Sequence, residues 1–363
     1  MRKSVLLALG LVVTILVSLG LIVLSSVGEM NGIRLYNDSY FFIKRQAIYV
    51  GAGVVIAVLV ALIDYRFWRK CSWLTWLFYF GVLALLCVVF LFPATKGSHR
   101  WINLGPANLQ PSEFAKLAVV VFLSNWIDAS GWKIERWIRG LWLPLFWLLL
   151  LAAPVSLEPD FGSTMVILSA GFLLMFVGGS KVVPLLSMGA LGAGGLVTMV
   201  LLNPNRVARL FDEDKLYQVK ASLVAIANGG IGGAGLGESM QKYYYLPEAH
   251  TDMIFAIGAE ELGLFFSIGV IVLFFLLFIL SVYIARKAVD RFGRLLVVGM
   301  GFIIFFQAMF NIGVVCKALP TKGMALPFFS YGGTNMLCMF FAVGTILSVG
   351  IHSRREAKRC CRV

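Results

Sequence analysis

The feature that most constrains this chain is the length of its uncharged apolar stretches. Inside a bilayer no water is available to bond the backbone, so a crossing segment is a helix or part of a closed barrel, and a crossing helix needs roughly 20 mostly apolar residues. Such stretches run from Ser4 to Gly28, Gln46 to Ile63, Cys71 to Thr95, Gly140 to Leu157, Phe161 to Ser180, Val182 to Asn205, Leu262 to Ala285, Leu295 to Cys316 and Gly323 to Ile351. One more, Leu117 to Ile127, is too short alone and must borrow Ser112 to Lys116, which puts Glu113 and Lys116 at membrane depth. The expected fold is all-α: a polytopic integral membrane protein of about ten transmembrane helices. It forms a single domain over 1–363, with a large extracytoplasmic loop, 203–252, between helices 7 and 8. Met1-Arg2-Lys3 plus an apolar run imitates a signal peptide, but the run exceeds the usual h-region of about 7–15 residues and reads as an uncleaved first helix.

Charge sets the orientation. With the N-terminus inside, the short inner segments hold 18 of the 31 Lys and Arg but only five of the 18 Asp and Glu, so the formal net charge of +13 falls on the inner side. Basic residues beside the inner ends of spans are the positive-inside signal, which predicts both termini in the cytoplasm. Because the bases are spread over short loops and form no single patch, the membrane is the implied partner and nucleic acid is not. The six cysteines and the histidines His99, His250 and His352 show no ligand spacing, so no metal site is expected among them.

The outer ends are punctuated by Gly105-Pro106, Gln110-Pro111, Glu158-Pro159, Leu319-Pro320, Leu326-Pro327 and Gly332-Gly333. Irregular backbone at membrane depth is tolerated only where protein or a water-filled cavity surrounds it, so the chain predicts a cavity opening outward. Ionisable residues in spans cost about 2.5–3.5 kcal/mol at a helix centre and are candidates for function. Here they gather on the outer side. Glu113 and Lys116 are three apart on one helix and can pair, either as a plain structural ion pair or as part of a site. Arg100 beside Trp101 either enters the cavity or reaches to lipid headgroups, and Asp252 either does chemistry or caps its own helix. Continued at 100° per residue from Asp252, Glu260 lies about 80° away and shares its cavity, while Glu261 faces another helix. The Gly229-Gly230-Ile231-Gly232-Gly233 run lacks the Lys-Ser/Thr ending of a phosphate loop.

Lys96-Gly97-Ser98-His99-Arg100-Trp101-Ile102, Gln110-Pro111-Ser112-Glu113-Phe114-Ala115-Lys116 and Glu158-Pro159-Asp160-Phe161-Gly162-Ser163 follow one another along the chain. After them come Tyr245-Leu246-Pro247-Glu248-Ala249-His250-Thr251-Asp252, Leu319-Pro320-Thr321-Lys322-Gly323 and Pro327-Phe328-Phe329-Ser330-Tyr331-Gly332-Gly333. In this order the set resembles the motifs of the SEDS family (shape, elongation, division and sporulation proteins). The resemblance implies a ten-helix bundle that polymerises lipid II, the lipid-linked disaccharide precursor of peptidoglycan, on the outer face of the bacterial inner membrane. It implies a class B penicillin-binding protein as transpeptidase partner, together with divisome or elongasome proteins. It places the catalytic carboxylate on Asp252 and the cavity arginine and Glu/Lys pair on Arg100, Glu113 and Lys116; Glu260, by its angle to Asp252, and Lys322, in the Leu319–Gly323 turn, join these as candidate substrate-binding residues. Lys317 and Thr334-Asn335 depart from the family pattern. The turn Leu319–Gly323 and the Tyr245–His250 segment look division-type, FtsW-like, whereas Ala259 before Glu260 looks RodA-like and elongation-type; the division type is favoured.

The chemistry agrees with that carboxylate. A diphosphate leaves a sugar without help from a protein acid, so one general base for the acceptor hydroxyl suffices, and cations hold the developing charge. Arg100, Lys116 or a divalent ion (Mg or Mn) would supply it. The competing functions are a lipid II flippase or other transporter, and a non-catalytic scaffold. Transporters tend to hold charges at the midplane of inverted repeats, and neither trait is found here.

Overall fold

The computed structural model describes residues 3–93, 100–103, 105, 108–131, 134, 137–158, 160–185, 187, 189–190, 194, 213–242, 250–319 and 323–360. Among these, seven helices are long and apolar enough to cross a membrane, and Phe161–Val177 is a shorter apolar one. The expected span Val182 to Asn205 lies largely outside the described residues.

The first two helices, α1 (Lys3–Tyr36) and α2 (Phe41–Leu62), form a hairpin closed by a tight turn at Asn37, whose φ of 54° is one that Asn tolerates. A short α3 (Arg66–Lys70) and α4 (Ser72–Val88) follow. Two antiparallel strands of two residues each, β1 (Ile102–Asn103) and β2 (Asn108–Leu109), then lead into α5 (Pro111–Ser130). Proline opens α5, where its missing N–H costs nothing. From Leu117 to Leu123 every residue of α5 is buried, the mark of a helix enclosed by neighbours on all sides. It packs on α4, on α7 (Phe161–Val177) and on α10 (Arg291–Val315). This is the short helix that borrows Ser112 to Lys116, and its protein surroundings are what allow a Lys and a Glu there.

Between them lie α6 (Leu143–Leu157), α8 (Glu213–Gly229) and α9 (Ile254–Arg286), and α11 (Gly333–Cys360) closes the chain. Helix α8 belongs to the expected outer loop, which is thus folded where it is described. Helices α2 and α11 approach closely because Gly53, Ala57 and Ala61 recur every fourth residue on the buried face of α2. A side chain on Gly53 would collide with the ring of Phe340. The opposite faces of α1, α2 and α4 present Leu7, Leu11, Ile48, Val55, Leu59 and Leu77 outward, an apolar surface suited to lipid.

Two sequence boundaries move. The last span begins at Gly333, not Gly323, because residues 323–332 form an irregular return in which Phe328 is held at φ 66° and is almost fully buried. That conformation costs a non-glycine residue about 1–2 kcal/mol and persists only because packing fixes it. The helix carrying Glu260 begins at Ile254 and breaks at Gly263 (φ 75°, ψ −165°), so Asp252 is not on it and the angular extrapolation from Asp252 does not apply.

At the end where α2, α5 and α9 finish, charges tie the helices together. Arg66 makes a two-pronged pair with Glu356 of α11, Arg69 reaches Asp128 of α5 at 3.0 Å, and both arginines approach Asp290 at 3.6–3.7 Å. Tyr65 donates to the same Asp290 at 2.5 Å. Arg291 donates to the carbonyls of Gly131 and Gly178.

Candidate functional site

The opposite end holds the residues nominated from sequence. Immediately before α9, the turn His250-Thr251-Asp252 is pinned through its carbonyls. Tyr331 N donates to His250 O at 3.0 Å, Ser330 Oγ to Thr251 O at 2.5 Å, and Asn311 Nδ2 to Asp252 O at 2.8 Å. Asn311 also donates to Met324 O at 2.5 Å, and Leu326 N donates to Ser330 Oγ at 2.7 Å, so α10 and the 323–332 return lock the turn together. The N-cap of α9 falls on Met253, so Asp252 does not occupy the capping position. Its carboxylate lies against Gly323: a Cβ built there would run into Asp252 Oδ2, which is why that position has no room for a side chain. Phe42 packs on the His250 ring at 4.9 Å and on Tyr331 at 5.0 Å.

Glu113 and Lys116 do pair, at 2.7 Å, with Lys116 fully buried and Glu113 nearly so. Lys116 Nζ also donates to Gln307 Oε1 at 2.6 Å, and Gln307 Nε2 donates to Ala325 O at 2.9 Å and Asn335 Oδ1 at 3.1 Å. The pair is therefore one end of an enclosed chain of polar contacts that reaches the same return on which Asp252 rests. A buried cation and carboxylate tolerate this position only with such added bonds. Asp160 caps α7 by accepting from Ser163 N at 3.3 Å, and it also accepts from Ser112 Oγ at 3.2 Å and Gln110 Nε2 at 3.3 Å. Gln110 N in turn donates to Thr334 Oγ1 at 3.2 Å. Thr334 and Asn335, the departure noted in the sequence, are thus working members of the network.

Arg100 is half-buried and its Nε donates to the carbonyl of Glu158 at 3.2 Å. Glu158 itself is fully buried, and among the described residues neither carboxyl oxygen has a hydrogen-bond partner. Loss of water, reinforced by Asp160 and opposed by Arg100, raises its pKa from 4.5 to about 8.

Glu260 and Glu261 have different neighbours from those expected of the first. Glu260 accepts from Ser239 Oγ and, at 3.5 Å, from Asn228 Nδ2. Glu261 faces α1, as expected, accepting from Ser26 Oγ at 2.5 Å and pairing with Lys242 at 3.2 Å. Both are wrapped by the glycine-rich segment, whose Ala234 and Gly235 amides donate to the Glu260 and Glu261 carbonyls at 2.9 and 3.0 Å. Gly233 sits so close to the Glu261 backbone that no Cβ would fit. That run is a clasp on a broken helix rather than a phosphate loop. Lys322 and residues 96–99 lie outside the described residues.

Gln307, Asn311, Ser330, Glu158 and Asp160 carry much of this arrangement; the last three stand in the quoted motifs, and none was given a site role from sequence. The first two had a signal: two amides four residues apart on an otherwise apolar span share one face. Among the described residues no three His, Cys, Asp or Glu side chains gather to hold a metal ion.

A bundle of membrane-crossing helices, with paired ions at one end and an enclosed polar network at the other, defines a polytopic integral membrane protein with a polar site at one face. The chain belongs to the FtsW/RodA/SpoVE family: the family model, described as cell cycle protein, matches residues 7–355. It is 36% identical to stage V sporulation protein E of Bacillus subtilis (strain 168), covering 96% of this chain and 97% of that one. It is 33% identical to the probable peptidoglycan glycosyltransferase FtsW of Escherichia coli O157:H7, covering 94% and 84%. Among solved structures, a chain of a peptidoglycan synthase complex that coordinates polymerization and crosslinking superposes with a TM-score of 0.78 at 26% identity, covering 95% and 97%. The rod shape determining protein RodA of Thermus thermophilus gives 0.71 at 25% identity, covering 94% and 95%.

Proposed function

We propose that this chain is a peptidoglycan glycosyltransferase that polymerises lipid II on the outer face of the bacterial cytoplasmic membrane, with Asp252 as general base. The observation that carries the reading is the His250-Thr251-Asp252 turn, a carboxylate-bearing segment held rigidly by its carbonyls at the polar end of the bundle. The relatives named as probable glycosyltransferases span nearly the whole chain, which supports the same activity here.

In the proposed step the acceptor sugar hydroxyl attacks the anomeric carbon of a lipid-linked donor. The new C–O bond forms as the bond to the diphosphate breaks, and the electron pair leaves on the diphosphate. Asp252 takes the hydroxyl proton, a contribution of about 10²–10⁴-fold in rate. Arg100 supplies positive charge to the departing diphosphate. A bound divalent ion (Mg or Mn) would add positive charge at the same place. Glu113 and Lys116 hold the return and the Asp252 turn in place through Gln307.

The transpeptidase partner is a class B penicillin-binding protein, supported by the structural neighbour's place in a synthase complex. The FtsW relatives support a septal role in division. The basic loops support a cytoplasmic location for both termini. The test gives the purified protein, with and without its partner, labelled lipid II. Ladders of glycan on a gel are expected; label crossing between leaflets with no ladder would mean a flippase instead.

A further inference from the structure

Glu158 is the acid in this molecule whose surroundings make least sense for a charge. It follows Leu157, the last residue of the α6 span, it is fully buried, and both of its oxygens are unpartnered among the described residues. Two charges act on it: Asp160 at the start of α7, which is anchored by Ser112, Gln110 and the Ser163 amide, and Arg100 from the segment before α5. Arg100 Nε donates to the Glu158 backbone carbonyl, and neither carboxyl oxygen of Glu158 accepts a hydrogen bond from a described residue. A buried carboxylate with no donor carries a large desolvation cost, which a bound proton removes. The pKa of about 8 is consistent with that proton at neutral pH.

We propose that Glu158 is a positioning residue, a carboxylic acid kept neutral beside Arg100 so that the guanidinium charge is directed at the diphosphate of the lipid-linked sugar. The idea rests on the reading of Arg100 as the diphosphate cation. When Glu158 loses its proton it becomes an internal anion next to that arginine and competes with the substrate. Alkaline pH then weakens polymerisation through this one group. The acid's neutrality also has a signature without substrate. A folded carboxyl that holds its proton to about pH 8, when the unfolded one releases it near 4.5, makes the fold less stable as pH rises from 4.5 to 8 and adds no further loss above that.

The test compares the full-length protein with Glu158→Gln, which mimics the neutral acid. Glu158→Gln is expected to polymerise lipid II within about twofold of the parent at pH 7, and to keep its rate above pH 8 where the parent's falls with a single ionisation. The infrared C=O stretch of a protonated carboxylic acid, present in the parent at pH 7, is expected to disappear in Glu158→Gln, and the slope of melting temperature between pH 4.5 and 8 to flatten. Superimposed pH–rate profiles, or no difference in the protonated-carboxyl band, would overturn the proposal. If Glu158→Gln does not fold, the same infrared band titrated in the parent decides the protonation state. If the parent itself makes no polymer, the glycosyltransferase reading fails while the infrared and melting measurements still judge Glu158.

Discussion

The two ends of this bundle use the same residue types to opposite purpose. At the end near Arg66 and Arg69, whose side chains are 21% and 49% exposed, the arginines meet Asp128, Asp290 and Glu356 from three separate parts of the chain. Water competes for such groups, so each contact contributes little and the lattice acts as a fastening between helices. At the end near Asp252 the charges are enclosed: Lys116 is at 0%, and Glu158 has no described donor for its carboxyl. Charges that are costly to bury, and are held by backbone and amides as well as by one another, are where a membrane protein places its chemistry. The contrast teaches that the location of a charge says less than what neutralises it.

The sharpest way to break the comparison is Asp252→Asn, which keeps size and removes basicity. It is expected to lower lipid II polymerisation by about 10²–10⁴-fold while the protein still folds and binds its transpeptidase partner. Near-normal glycan ladders would remove the general-base role. Gly323→Ala comes next. The added methyl must push Asp252 aside, and displacement of a catalytic group by about 1 Å can cost ~10²-fold. A variant with unchanged rate would show that the carboxylate need not sit against residue 323.

Exchanging Glu113 and Lys116 keeps a buried pair but turns its field and presents a carboxylate to Gln307. Roughly tenfold slower polymerisation with an intact fold is expected, equivalent to about 1.4 kcal/mol. The control Lys116→Met, which leaves Glu113 buried and alone, is expected to cost about 3–5 kcal/mol of stability in a melting experiment. A swap with full activity would leave the pair a structural role only.

Arg66→Ala at the other end is expected to lower stability by about 1–2 kcal/mol, since several partly exposed pairs are lost together, and to leave the rate per folded molecule unchanged. A catalytic loss without a stability loss there would erase the distinction between the ends. The smallest signal concerns orientation. A reporter cysteine replacing the exposed Arg355, in a background without native cysteines, is expected to react with an impermeant label only after lysis. The neighbouring Ser353 is buried and would be blocked in either topology.

Much of the architecture was legible from the chain alone, because a bilayer reads sequence locally. A helix rises about 1.5 Å per residue, so an uncharged apolar stretch of sufficient length declares a span without reference to any other part of the molecule. The basic loops carry an orientation signal of the same local kind, which the labelling at residue 355 tests. The His250-Thr251-Asp252 motif was nominated by its order among the other motifs, and the Glu113–Lys116 pairing by helical spacing.

What only the tertiary structure decided is which distant residue neutralises which. Glu260 was expected to accompany Asp252, but the helix starts two residues after Asp252, and Ser239 and Asn228 reach Glu260 through a glycine clasp around the break at Gly263. Nothing local links Ser26 to Glu261 across 235 positions, or Lys116 to Gln307 across 191. Glu158 looked like ordinary motif punctuation until burial removed its water and its donors. Span length and loop charge are properties of contiguous residues, which the sequence holds. The state of a buried ion is set by the dielectric and the partners around it, and those exist only once the helices have packed.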